Sequence, residues 1–192
     1  MSISDQVLDI FRETGALLQG HFILTSGRHS GTYFQCAKVL QHPEHLQRFA
    51  NEIVDHFRDL AVDLVISPAV GGIVLGSEVG RQLNIQTIFA EREQGAMTLR
   101  RGFEIQTGNN VLVVEDVVTT GGSVQDVMNV VTKAGANIVG VGVLVDRSGG
   151  AAKLHNNQFC VTELEAISYE ADEVPEELAS IPVLKPGSRS LK

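Results

Sequence analysis

The chain has 192 residues, 43% of them hydrophobic and 5% aromatic, which is material for a core of its own and excludes a disordered segment. Charged residues make up 20%, and 23 acids against 15 bases leave a formal net charge of -8, which would repel a polyphosphate backbone and disfavours nucleic-acid binding. No apolar run approaches the roughly 18 residues of a membrane span; with no basic-then-apolar leader and only Cys36 and Cys160 for a disulfide, a soluble protein of the reducing cytoplasm is expected.

In chain order, a helix is predicted over Asp5 to Leu18, followed by a polar stretch from Thr25 to Gln35. Leu46, Phe49, Ala50, Ile53, Val54 and Phe57 recur at helical spacing, and Pro43 suits a first turn, so a second helix is predicted from Pro43 to Leu60. Runs rich in β-branched residues predict strands at Val62 to Ser67, Gln86 to Ala90, Val111 to Glu115 and Ile138 to Val145. These runs are apolar along their whole length, which points to an α/β fold with a central parallel sheet covered on both faces by helices. The organisation expected is one domain, with an N-terminal cap from about 1 to 60, a core from about 61 to 170 and a tail over 171 to 192. Glu91 to Gln106, with Arg92, Arg100 and Arg101, is long for a plain connection and is expected to be functional or mobile.

Residues 111 to 123 carry the chemistry. Val111 to Val114 read as a strand, and Val124, Val127, Met128 and Val131 as the apolar face of a helix. Between them, Thr119, Thr120 and Ser123 offer hydroxyls, and Gly121 and Gly122 let backbone N–H groups turn inward. Such donors at a helix N-terminus favour a phosphate monoester. A Walker loop needs a lysine before its Ser/Thr, and no lysine lies between Val39 and Thr132. Glu115 and Asp116 end the strand, so at least one carboxylate emerges at the carboxyl edge of the sheet, where open α/β sheets bind ligands. A carboxylate there can accept from a vicinal diol and stand near a developing positive charge.

Residues 111 to 123 resemble the phosphoribosyl-diphosphate (PRPP) motif of type I phosphoribosyltransferases. The stretches Leu24-Thr25-Ser26-Gly27-Arg28-His29-Ser30, Thr32-Tyr33-Phe34, Ser67-Pro68-Ala69-Val70-Gly71-Gly72-Ile73 and Leu99-Arg100-Arg101-Gly102-Phe103 resemble the orotate-using family of that class. Val145-Asp146-Arg147 and Ile181-Pro182-Val183 extend the likeness to nearly the whole chain.

The resemblance implies a type I phosphoribosyltransferase fold with an N-terminal hood and a mobile loop. It implies transfer of ribose 5-phosphate from PRPP to orotate, giving orotidine 5'-phosphate and pyrophosphate in pyrimidine synthesis. Mg2+ would be held mainly by PRPP and water, with no protein metal ligand assigned. By the same likeness Thr119, Thr120, Gly121, Gly122 and Ser123, following Val117 and Val118, hold the 5-phosphate, and Glu115 and Asp116 face the ribose hydroxyls. Ala69, Val70, Gly71 and Gly72 form the pyrophosphate-side loop, and Thr119, Arg147, Tyr33 and Phe34 hold orotate. Arg92, Arg100 and Arg101 would stabilise the leaving diphosphate, Arg92 alongside the two acids as a catalytic residue. A homodimer with shared active sites is implied.

The sequence departs from the better-known pattern in three places. The loop over Glu91 to Gln106 has no lysine or histidine, Thr25 replaces a lysine of the hood, and Gly71 or Gly72 replaces one in the pyrophosphate loop. Arginine cannot donate a proton at neutral pH, so this loop stabilises charge without acting as a general acid. The alternatives are a purine-type phosphoribosyltransferase and a PRPP-sensing regulatory protein.

Overall fold

A computed structural model describes residues 3–24, 27–165 and 167–185; Thr25 and Ser26 of the hood motif and the tail from Pro186 lie outside the described residues. The chain divides into two compact units, residues 1–39 with 165–192, and residues 40–164.

The larger unit carries a six-stranded sheet in the order β5-β4-β3-β6-β7-β8. Its strands are β3 (Leu64–Pro68), β4 (Gln86–Glu93), β5 (Ala96–Leu99), β6 (Asn110–Val118), β7 (Asn137–Asp146) and β8 (Gln158–Glu163), all parallel except β5. Helices α3 (Pro43–Phe57), α4 (Gly71–Leu83) and α5 (Gly122–Lys133) cover it. The central strands carry the burial that the expected two-sided sheet requires: every residue of β3 is buried, and Val111, Leu112, Val113 and Val114 of β6 are fully so. The chain enters at β3, moves outward to β4, then returns to β6 on the other side of β3. That reversal opens a crevice at the carboxyl ends of β3 and β6.

The smaller unit pairs β1 (Leu17–Ile23) with β2 (His29–Phe34) and adds two short edges, β9 (Ser168–Tyr169) and β10 (Val183–Leu184), in the order β10-β1-β2-β9. Helix α1 (Ile3–Glu13) packs Phe11 on Phe34, ring centroids 4.8 Å apart. Helix α6 (Glu176–Ala179) belongs to this unit, and α2 (Ala37–Leu40) spans the division. Arg28 ties β2 to β9 through an ion pair with Glu170 and a 2.9 Å hydrogen bond donated to Ser168 Oγ.

Four expectations are corrected. The first helix stops at Glu13 because Gly15 takes a left-handed φ of 67°, and the residues read as its last turn open β1. The polar stretch from Thr25 contains β2, whose half-buried positions hide the strand pattern. The cap does not extend to residue 60: α3 sits in the core unit, where Phe57 packs so closely on β7 that a Cβ at Gly140 would lie 2.3 Å from its ring. The described part of the tail is not separate either, since β10 pairs with β1, His21 facing Val183. Among the described residues no helix is long and apolar enough to cross a membrane.

Candidate active site

The crevice between β3 and β6 is floored by two loops. β3 ends at Pro68, and the chain turns through Ala69 and Val70 into α4; the Ala69–Val70 peptide is cis and Val70 is 80% exposed. Beside it, β6 ends in Glu115, Asp116, Val117 and Val118. The register Leu64 to Val111 and Ile66 to Val113 brings the two ends level.

The contact between them is close. A Cβ on Gly71 would lie 2.6 Å from both carboxylate oxygens of Asp116, and one on Gly72 would lie 2.9 Å from Glu115 Oε1. Any larger residue would push the acids out of place, so the glycine pair and the acid pair form one arrangement. Glu115 is buried, Asp116 half-buried, and the Asp116 N–H donates to Glu115 Oε1 at 3.1 Å. Burial, then the hydrogen bond and charge of Asp116, push the Glu115 carboxyl up to about 10, so it keeps its proton at neutral pH.

The bend after β6 is a hollow of about 60 Å³ lined by Glu115, Val117 to Val124 and the residues between. Gly121 caps α5 with a φ of 79° and no side-chain hydrogen bond, which turns the first N–H groups of α5 toward the hollow. Thr119, Thr120, Gly122 and Ser123 are exposed, whereas the Val118 side chain is buried and leaves only its backbone to the bend. Leu154, from the loop after β7, presses on the same turn: a Cβ at Gly121 would lie 2.6 Å from its Cδ2. Arg147, half-buried, follows β7, and its N–H donates to Val118 O at 2.7 Å, anchoring it one strand over from the acids.

Glu91 to Gln106, expected as an open loop, is half strand. β4 continues to Glu93 and returns as β5 through Gln94 and Gly95, whose φ values of 50° and 89° make the tight turn a two-residue hairpin needs. Its arginines are engaged: Arg92 with Asp126 of α5 at 2.6 Å, Arg100 with Glu93 at 3.5 Å, and Arg101 with Glu91 at 2.8 Å while lying 5.4 Å from the Phe89 ring. The Arg92 pair was unreadable in sequence, because Asp126 lies 34 positions from its partner.

The aromatic pair is divided. Adjacent residues of a strand point to opposite faces, so Phe34 is buried against Phe11, while Tyr33 remains half-buried, 5.6 Å from Phe22.

The model of the phosphoribosyl transferase domain matches residues 36–179. An orotate phosphoribosyltransferase of Chlorobium phaeobacteroides is 59% identical over 184 residues, covering 96% of this chain and 95% of that protein. One of Pelotomaculum thermopropionicum is 51% identical over 187 residues, covering 97% and 98%. The crystal structure of orotate phosphoribosyltransferase from Aeropyrum pernix superposes with a TM-score of 0.69 at 25% identity, over 82% of this chain and 93% of that one. An adenine phosphoribosyltransferase from Thermoanaerobacter pseudethanolicus shares the fold, with a TM-score of 0.60 at 17% identity, over 69% of this chain and 88% of that one.

Proposed function

This chain belongs to the orotate phosphoribosyltransferase family, and from that premise we propose how its residues join N1 of orotate to C1 of PRPP, releasing pyrophosphate and forming orotidine 5'-phosphate. The observation that carries the reading is the crevice itself: the open N-terminus of α5 and the acid pair of β6 meet the glycine pair of α4 at the strand-order reversal.

The hollow at Thr119 to Ser123 takes the 5-phosphate, held by backbone N–H groups and the helix dipole. That anchor sets the ribose beside Asp116, which accepts from its hydroxyls and faces the positive charge that grows as the C1–O bond breaks. Glu115, protonated and buried, holds Asp116 in place through the Asp116 N–H. The Ala69 to Gly72 turn offers backbone N–H groups to the diphosphate, and Arg92, Arg100 and Arg101 supply positive charge around it. Arg147 presents a fork of donors to the orotate carboxylate, with Thr119 as a further contact. N1 of orotate attacks C1 as the C1–O bond breaks and its electron pair leaves on the pyrophosphate, and the N1 proton passes to a pyrophosphate oxygen, so no strong protein base is needed.

The fold family implies Mg2+. The adjacent carboxylates of Glu115 and Asp116, packed against the glycine pair of α4, fall short of the octahedron of oxygens Mg2+ takes, which fits an ion completed by PRPP oxygens and water. When bound, Mg2+ neutralises charge on the leaving diphosphate. Assembly as a homodimer with shared sites and residence in the cytoplasm both rest on the family likeness.

The test is base selectivity. Given PRPP and Mg2+, the purified protein consumes orotate and leaves adenine, hypoxanthine and uracil untouched; turnover of a purine would favour the purine-type alternative, and binding of PRPP without turnover of any base the regulatory one.

A further inference from the structure

A guanidinium on a hairpin hangs from a long flexible side chain, and catalysis by charge needs it fixed before the charge develops. Two acceptors fix Arg92: Asp126 Oδ2 accepts from Nη2 at 2.6 Å, and Gly95 O accepts from Nη1 at 3.1 Å. Gly95 belongs to the turn of the same hairpin. Asp126 does not; it stands on α5, four residues after Gly122, so that it is displaced only about 6 Å along the helix axis from the residue opening the phosphate hollow. Arg100 and Arg101, by contrast, pair with Glu93 and Glu91 inside their own segment.

We infer that Asp126 is a positioning residue: it holds the Arg92 guanidinium against α5, coupling the arginine hairpin to the helix that grips the 5-phosphate. The inference rests on the PRPP role given to Arg92 above. Both side chains are substantially exposed, 48% and 40%, and an exposed pair contributes little to folding. A loss of activity on breaking it therefore reports placement of the arginine. Asp126 touches no reacting group in this account, and its carboxylate acts only through Arg92.

The test compares Arg92→Ala, Asp126→Asn and Asp126→Glu in steady-state assays with PRPP varied at saturating orotate and Mg2+, alongside thermal melts. Arg92→Ala should raise the KM for PRPP at least tenfold. Asp126→Asn should raise it several-fold, with a smaller change in kcat and an unchanged Tm, and Asp126→Glu should return it to within about twofold of wild type. A normal Asp126→Asn beside an impaired Arg92→Ala overturns this inference and leaves the role of Arg92 standing. Normal kinetics in Arg92→Ala overturn that role and the inference with it. Equal impairment of the Asn and Glu variants, or a fall in Tm in Asp126→Asn, would show that Asp126 serves the fold alone and also overturns the inference.

Discussion

The bend between β6 and α5 and the hairpin between β4 and β5 belong to the same sheet but are built from different material. The bend is backbone: a left-handed glycine, a helix N-terminus without a side-chain cap and a hollow the size of a small anion. The hairpin is side chain: three arginines, each held by a carboxylate on the surface. Backbone donors are fixed by the fold and are in place before a ligand arrives, whereas exposed ion pairs are weak and screened by salt. The bend and its acids should therefore dominate binding and rate, with the hairpin adding to them.

The strongest way to break that ranking is Asp116→Asn. It removes the charge beside the ribose while keeping the shape, and Asp116 is half-buried at a polar edge rather than in the core. Turnover should fall about a hundredfold or more, equivalent to about 3 kcal/mol of transition-state stabilisation, with little change in Tm. A larger loss for Arg100→Ala, measured under the same conditions, would reverse the ranking.

Gly121→Ala sharpens the comparison when set against Gly95→Ala. Both glycines have positive φ, 79° and 89°, so both substitutions carry a left-handed strain of roughly 1 to 2 kcal/mol. Only at Gly121 does the added methyl collide, 2.6 Å from Leu154 Cδ2; at Gly95 nothing lies within 4 Å. Gly121→Ala should therefore cost more stability in denaturant unfolding and raise the KM for PRPP about tenfold, while Gly95→Ala shows the strain alone. Equal effects on KM would mean that the bend tolerates rearrangement and is not the rigid anchor.

The same difference in material decides what could be read from the sequence. The bend occupies a dozen consecutive residues, and its strand, acids, hydroxyls, glycines and helix all carry local signals, so Glu115 to Ser123 were legible together. The core strands were legible because burial on both faces leaves them apolar throughout. β5 and β8 were not, since Ala96 to Leu99 and Gln158 to Glu163 are edge strands with mixed patterns. Asp126 and Leu154 were missed because they reach Arg92 and Gly121 across 34 and 33 positions, where no spacing rule applies. The burial of Phe34 was not legible, because the flanking polar residues Thr32 and Gln35 mask the alternation of β2 that turns its ring inward.

A last effect bears on stability rather than rate, through the buried half of the acid pair. Glu115 is 7% exposed, and its carboxyl is pushed up to about 10 from an ordinary 4.5, chiefly by burial and then by Asp116. Unfolding returns it to water, where it ionises above 4.5. Between 4.5 and about 10 the folded state binds the additional proton, so this contribution to stability is complete below 4.5 and is lost as pH rises through that window. Glu115→Gln has no proton to lose. With one extra proton held by the fold across this range, the stability of the wild type relative to Glu115→Gln should decline by about 2.7 kcal/mol between pH 6 and 8, two pH units at about 1.4 kcal/mol each. Urea titrations of both proteins at several pH values measure it. A difference independent of pH would mean that Glu115 is ionised in the fold, and the bend would then hold two negative charges beside the phosphate it is built to bind.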